Sequence, residues 1–431
     1  MNVQTPPNLL GDPTNELIEQ ARRVLPGGTF GNLPAEVILK EGRGGHIYDE
    51  AGKEYVDFLL GSGPMFIGHA HPEVTAAVQA QVPLGTTFFG NNRHGIALAE
   101  AIVEAVPCAE QVRFVCSGTE ADLYAMRAAR AFRKRDKILK FEGGYHGMSD
   151  YALVSLAPKA PGNFPRGSID SAGIPKSVAD EMVVAAFNDI DMVRSLIEEQ
   201  KDELAGVIVE PFQRLIPPKP GFLQALREVT AEHGIPLIFD EVVTGFRFAY
   251  GGAQEYYGVT PDLCTLGKIV GGGFALAATA GRADIMKHFD RLAMTDEDFI
   301  FQVGTLSGNP VAAVAGLATL DVLKRPGTYE GVFANGRKLM DTLSELIKKH
   351  GFKAQVIGEP PLFDIIFTDQ PIKDYRDTLK ADTATLKRFN QALRARGIMK
   401  GDSKYYVSVA HTQADIDHTI GAWEEAFKAI K

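Results

Sequence analysis

A lysine stands where structure alone gives little reason for one. Lys268 sits in Thr265-Leu266-Gly267-Lys268-Ile269-Val270-Gly271-Gly272-Gly273, between an apolar strand-like run and three glycines. A long, hydrated cation loses solvation at the end of a buried strand. Burial also depresses its pKa and frees a neutral amine, the form that attacks a carbonyl carbon or takes up a proton. Asp240 lies 28 residues earlier, closing the run Ile235-Pro236-Leu237-Ile238-Phe239-Asp240. A carboxylate held there can pair with a protonated ring nitrogen. A lysine with such an acid is a protein's contribution to pyridoxal phosphate chemistry. The plainer alternatives are a snorkelling surface lysine and a solvated strand-end acid.

Further residues add to this pair. Ser117-Gly118-Thr119 follows the apolar run Val112–Cys116 and opens a helix-like pattern, so its amides and hydroxyls can cradle a phosphate or simply cap the helix. Gly143-Gly144-Tyr145-His146-Gly147 follows another strand-like run and places an aromatic ring where ligands gather in doubly wound sheets; an ordinary glycine-rich turn is the alternative. Asp240 and Val242, two apart in extended chain, point the same way, one toward a ring nitrogen and one against a ring face. Glu241 then points away, toward an ion pair with an arginine such as Arg247. Gly304-Thr305-Leu306-Ser307-Gly308-Asn309-Pro310 offers the Thr305 hydroxyl to phosphate, or else caps the helix that follows.

Positioning these residues needs a sheet. Strand candidates are Gln111–Cys116, Lys137–Phe141, Met182–Ala186, Gly206–Glu210, Pro236–Asp240, Asp262–Leu266 and Ala275–Ala280. Helix candidates Thr119–Arg133, Asp189–Gln200 and Phe222–His233 fall between them, and that alternation predicts an α/β fold with a mostly parallel sheet. Before it come a helix over Asn15–Leu25 capped by Thr14 and a hairpin over 46–58 turning near Gly52. Pro158–Ser177 reads as a surface loop. After it, helices Pro310–Leu323, 330–350 and Gln413–Ile430 alternate with strands near 354–357, 363–367 and 405–410. The expected division is an N-terminal segment 1–60 joining a small domain, a large domain 61–309, and a C-terminal small domain 310–431.

With 431 residues, 45% hydrophobic and 23% charged, the chain can bury a large core. A net charge of −9 without a basic block argues against nucleic acid. Three scattered cysteines offer neither a disulfide framework nor a metal site, and no run reaches the ~20 apolar residues of a membrane span. With a polar, proline-rich Met1–Pro13 and no apolar signal core, the expected location is the cytoplasm.

The order of these motifs, with Gly61–Pro72, Val209-Glu210-Pro211 and Asp240–Arg247, resembles the class III aminotransferases of fold type I, nearly end to end. Gly68–Pro72, Gly304–Pro310 and Ala410-His411-Thr412 look most like the branch holding glutamate-1-semialdehyde aminomutases and β-amino-acid aminotransferases. The resemblance implies a large domain with a smaller α/β domain and pyridoxal 5'-phosphate as cofactor. Lys268 would be the Schiff-base lysine and Asp240 the partner of the ring nitrogen. Tyr145 and Val242 would flank the ring, with His146 and Glu210 beside it. Ser117, Gly118 and Thr119 would bind phosphate, joined by Thr305 from a second subunit of a homodimer.

One departure bears on the substrate. The aminomutases and β-phenylalanine aminotransferases carry an arginine shortly after the Pro-Gly-Gly, whereas this chain reads Pro26-Gly27-Gly28-Thr29-Phe30-Gly31-Asn32-Leu33-Pro34. Arg214, a bidentate carboxylate fork, and Lys404 are candidate replacements, and Phe88 and Phe89 are candidate pocket walls. Their plain alternatives are a loop ion pair, a surface lysine and core packing. The expected activity is therefore a transaminase passing an amino group from an amine or non-standard amino acid to a separate carbonyl acceptor. The alternatives are an aminomutase acting within one substrate and a non-catalytic binder of the cofactor.

Overall fold

The computed structural model describes residues 13–431. The Met1–Pro13 reading falls outside them up to residue 12. Seven strands form the central sheet: β1 (Gln111–Val115), β2 (Lys137–Phe141), β3 (Met182–Ala185), β4 (Leu204–Val209), β5 (Leu237–Glu241), β6 (Leu263–Leu266) and β7 (Ala277–Gly281). Their order is β1-β7-β6-β5-β4-β2-β3. β7 runs antiparallel to both neighbours, and the other six run one way. β3 to β6 are buried along their whole length, as strands covered on both faces require.

The helix Gly118–Arg133 shows how the layers lock. Ala121, Ala125, Ala128 and Ala129 line its buried face at three- and four-residue spacing. A Cβ on Gly206 of β4 would stand 3.0 Å from the Ala129 methyl, so glycine lets helix and sheet approach this closely. Leu139, Val207 and Phe239 are fully buried, each stabilising the fold by roughly 1.5–3 kcal/mol.

Flanking segments close the molecule. The strand Glu54–Asp57 pairs in parallel with Ile398–Met399, tying the start of the described chain to its end. A three-stranded antiparallel sheet holds Gln355–Glu359, Leu362–Ile366 and Tyr405–Tyr406. The last helix spans Gln413–Ile430 as expected, started by a capping box of Thr412 and Asp415. The first described helix runs Pro13–Val24, a residue or two ahead of the expected Asn15–Leu25. No helix among the described residues is long and apolar enough to cross a membrane.

Candidate active site

The site lies at the carboxyl ends of the parallel strands, where loops from neighbouring strands converge. A cavity of about 350 Å³ is lined by Ser117, Gly118, Thr119, Tyr145, Asp240, Val242 and Lys268, among others. Seven of the residues singled out in the sequence thus share one space. Asp240 and Val242 both face it, as the period of two predicts, and Glu241 faces away.

Lys268 is positioned by backbone in a sparsely populated conformation. Its φ is +50°, left-handed for a residue with a Cβ, at the turn that follows β6. Such a conformation costs energy and persists only where the surroundings enforce it, as they do at functional sites. Burial lowers its amine below the ordinary lysine range; the charges of Lys404 and Arg247 push the same way, against Tyr406 and Asp240. A neutral amine facing the cavity can accept a proton or attack a carbonyl carbon.

Asp240 is buried and fully engaged. Its Oδ2 lies 2.8 Å from His146 Nδ1, and its Oδ1 accepts from the Val242 amide at 3.1 Å. His146 Nε2 is buried without a partner among the described residues. Glu210 accepts from the Tyr145 amide at 2.8 Å, which fixes the loop carrying the aromatic ring. Burial first, then the charge of Asp240, raises the Glu210 carboxyl above its usual range.

Ser117 caps the helix Gly118–Arg133 through a capping box with Glu120, so the structural role of its hydroxyl is realised. The first turn still presents free amides and the positive end of a 16-residue helix to the cavity. A Cβ on Gly118 would stand 2.9 Å from Val242 Cγ1, so the two walls meet at van der Waals distance only because Gly118 is glycine.

A second cavity, of about 720 Å³, shares Tyr145, Val243 and Lys268 with the first and adds Arg214, Lys404 and Tyr406. Arg214 also has left-handed backbone, φ +61°, and lies 5.5 Å from the Tyr145 ring centre. Tyr406 was not legible from sequence. Burial favours its neutral phenol, but Lys404, Lys268 and Arg247, with a hydrogen bond from Ser62, outweigh that and lower it. Asp122, which also lines the first cavity, was missed too; an acid on a helix's buried face was its only signal.

Two expectations are corrected. Glu241 makes no ion pair with Arg247: its carboxylate accepts from Thr244, Ala253 and both nitrogens of Gln254. Arg247 instead donates to the carbonyls of Gly63 and Val243 and stacks between Phe66 and Tyr406. Phe88 and Phe89 line neither cavity and are exposed, 55% and 68%, because their segment runs along the surface. Thr305, expected to act from a second subunit, is exposed and outside both cavities of its own chain, with its carbonyl accepting from Thr87 at 2.9 Å.

A lysine and an aspartate facing one cavity, closed by a helix N-terminus, define a site for a phosphorylated carbonyl cofactor. The class III aminotransferase family model matches residues 30–427, and the chain belongs to that family. It is 40% identical over 426 residues to a glutamate-1-semialdehyde 2,1-aminomutase of Desulforudis audaxviator, covering 96% of this chain and 97% of that one. It is also 40% identical over 430 residues to the enzyme of the same name from Methanocaldococcus jannaschii, covering 97% and 99%. Among solved structures it is similar to an omega-transaminase from Sphaerobacter thermophilus, with TM-score 0.92, 38% identity and 98% of each chain covered. The protein is a pyridoxal-phosphate-dependent enzyme of fold type I. The expected transaminase reading is corrected here, because the full-length relatives at 40% identity are aminomutases, which move an amino group within one molecule.

Proposed function

We propose that the protein is an aminomutase of the glutamate-1-semialdehyde type. It shifts an amino group between neighbouring carbons of one small carboxylated substrate, works as a homodimer and resides in the cytoplasm. The observation that carries this reading is the 40% identity over nearly the whole chain to two aminomutases.

The geometry supports it. Bound pyridoxal phosphate supplies an aldehyde that takes up amino groups and a cationic ring that draws electrons from a neighbouring carbon. The helix N-terminus with Ser117, Gly118 and Thr119 would hold its phosphate, Asp240 would keep its ring nitrogen charged, and Tyr145 and Val242 would hold the ring. Lys268 moves a proton at the substrate carbon, its amine shifted toward the neutral form by burial. His146 and Glu210 hold Asp240 and the Tyr145 loop in place. Exposed Phe88, Phe89, Phe301 and Val303, on the segments joined by Thr87 and Thr305, support a partner subunit there and Thr305 reaching the partner's phosphate.

Arg214 and Lys404 answer the missing arginine near the N-terminus. They stand in the cavity that contains Lys268 and supply the cationic wall a substrate carboxylate needs. Arg214→Ala and Lys404→Met are each expected to raise KM roughly 10- to 100-fold while kcat falls much less, the pattern of lost ground-state binding. Steady-state kinetics check this, and an unchanged KM rejects the assignment for that residue. The reaction itself is tested by giving the holoenzyme glutamate-1-semialdehyde with no added 2-oxo acid. Formation of the isomer aminated at the neighbouring carbon is expected; transfer that proceeds only with a separate acceptor overturns the reading.

A further inference from the structure

Two buried carboxyl groups share one hydroxyl behind the cavity. Asp122, 1% exposed, projects from the helix Gly118–Arg133, and Asp240 projects from β5. Thr265 Oγ1 on β6 lies 2.6 Å from Asp122 Oδ1 and 3.4 Å from Asp240 Oδ1. A hydroxyl has one proton to give. With both acids ionised, that proton would serve one of them, and the lone pair of the fully buried hydroxyl would face the other's negative oxygen. With a proton on Asp122, its O–H donates to Thr265 and Thr265 donates to Asp240. Both contacts then become hydrogen bonds, and both point at Asp240.

We propose that Asp122 is a proton-bearing positioning residue that acts through Thr265 to hold Asp240 as an oriented anion. The inference rests on the reading of Asp240 as the partner of the ring nitrogen.

The surrounding charges agree with this proton count. Asp122 is faced by Asp240 from β5, Glu210 from the end of β4, and Lys268 from the turn after β6. Lys140 of β2 and His146 beyond it are buried as well. Lys140 is spent on the carbonyls of Ala152 and Val154, at 2.8 and 2.6 Å, and His146 is spent on Asp240. Neither supplies a direct counter-ion to Asp122. Burial first, then the charge of Asp240, pushes the Asp122 carboxyl well up, against weaker opposing pulls from Thr265 and Lys268.

The test compares wild-type holoenzyme with Asp122→Asn and Asp122→Leu. In infrared difference spectra at pH 8, wild type minus Asp122→Asn is expected to show the carbonyl stretch of a buried protonated acid. Carboxylate bands alone overturn the proposal. Thermal unfolding supplies a second readout. An acid kept neutral in the fold but ionised in the unfolded chain above about pH 4 costs stability as pH rises. The Asn variant lacks that cost, so its melting temperature is expected to gain on wild type between pH 4 and 8. A constant gap counts against the proposal. Asp122→Leu is expected to slow single-turnover proton transfer roughly 10- to 100-fold, with Asn, which still donates to Thr265, recovering most of the loss. Equal loss in both variants overturns the role. Asp240→Asn separates the two readings. If it turns over like wild type, the ring-nitrogen assignment fails and this inference with it. If it is slow while Asp122 proves ionised, this inference alone fails.

Discussion

Replacing Lys268 with alanine is expected to lower turnover by roughly 10⁴-fold or more while the fold survives. Survival follows from what the substitution removes. The left-handed backbone at φ +50° already accommodates a Cβ, so alanine adds no strain there. The lost amine is one that burial disfavours in its charged form, so its removal relieves desolvation rather than leaving a partner unpaired. The loss of rate follows from what else lines the cavities. Tyr145 and Tyr406 carry phenols, Asp240 is held by His146, the Val242 amide and Thr265, and Lys404, the other amine, lines only the second cavity and not the one that Asp240, Val242 and the helix N-terminus share with Lys268. Added small primary amines are expected to restore part of the rate by occupying the vacated space. In the wild type, the same lowered amine sets the pH profile. Proton transfer needs the neutral form, so the rate is expected to rise with pH and level off below the ordinary lysine range. Single-turnover kinetics of the variant decide the matter, and a rate within tenfold of wild type would remove Lys268 from the mechanism.

The sheet was legible because buried parallel strands read as short apolar runs broken by helical patterns, and five of the seven runs were placed within a residue of their observed ends. The direction of β7 was not. Ala277–Gly281 is buried along its length, and a run of small residues looks the same from either end. The helices Pro72–Gln81, Arg93–Ala105 and Thr383–Ala395 carried no chemistry and went unmarked. In the site, period-two geometry placed Asp240 with Val242 and turned Glu241 away. The partner of Glu241 was misjudged, because a buried carboxylate is captured by whatever amides the fold brings to it, here those of 253–254, far closer in space than in kind to an arginine pair. Tyr406 and Asp122 escaped notice for the same reason. Tyr406 reaches the lysine only through the sheet that joins Tyr405–Tyr406 to Leu362–Ile366, and Asp122 reaches Asp240 only through a hydroxyl on β6. Side chains that act by meeting across distant segments leave no spacing in the sequence.

Changing Asp240 to asparagine is expected to slow proton removal from the substrate carbon by roughly 10²- to 10⁴-fold, equivalent to about 3–5 kcal/mol of barrier, while the cofactor is retained more weakly. The substitution is nearly isosteric, so the damage is electrical and tautomeric rather than steric. An amide brings no negative charge, and a ring nitrogen facing it has lost the group that keeps it protonated. The hydrogen bonds also change direction. The amide oxygen takes the place of Oδ1 to accept from Val242, which turns the NH₂ toward His146 Nδ1, 2.8 Å from Asp240 Oδ2 in the wild type. His146 must then accept at Nδ1 and carry its proton on Nε2, the buried nitrogen that has no protein partner among the described residues. An unpaired buried N–H adds its own penalty to the lost charge, so the holoprotein is expected to melt earlier as well as react slowly. Stopped-flow single turnovers with substrate deuterated at the reacting carbon separate the two effects. A full isotope effect at a much lower rate marks slowed proton removal; an unchanged rate rejects Asp240 as the residue that keeps the ring charged.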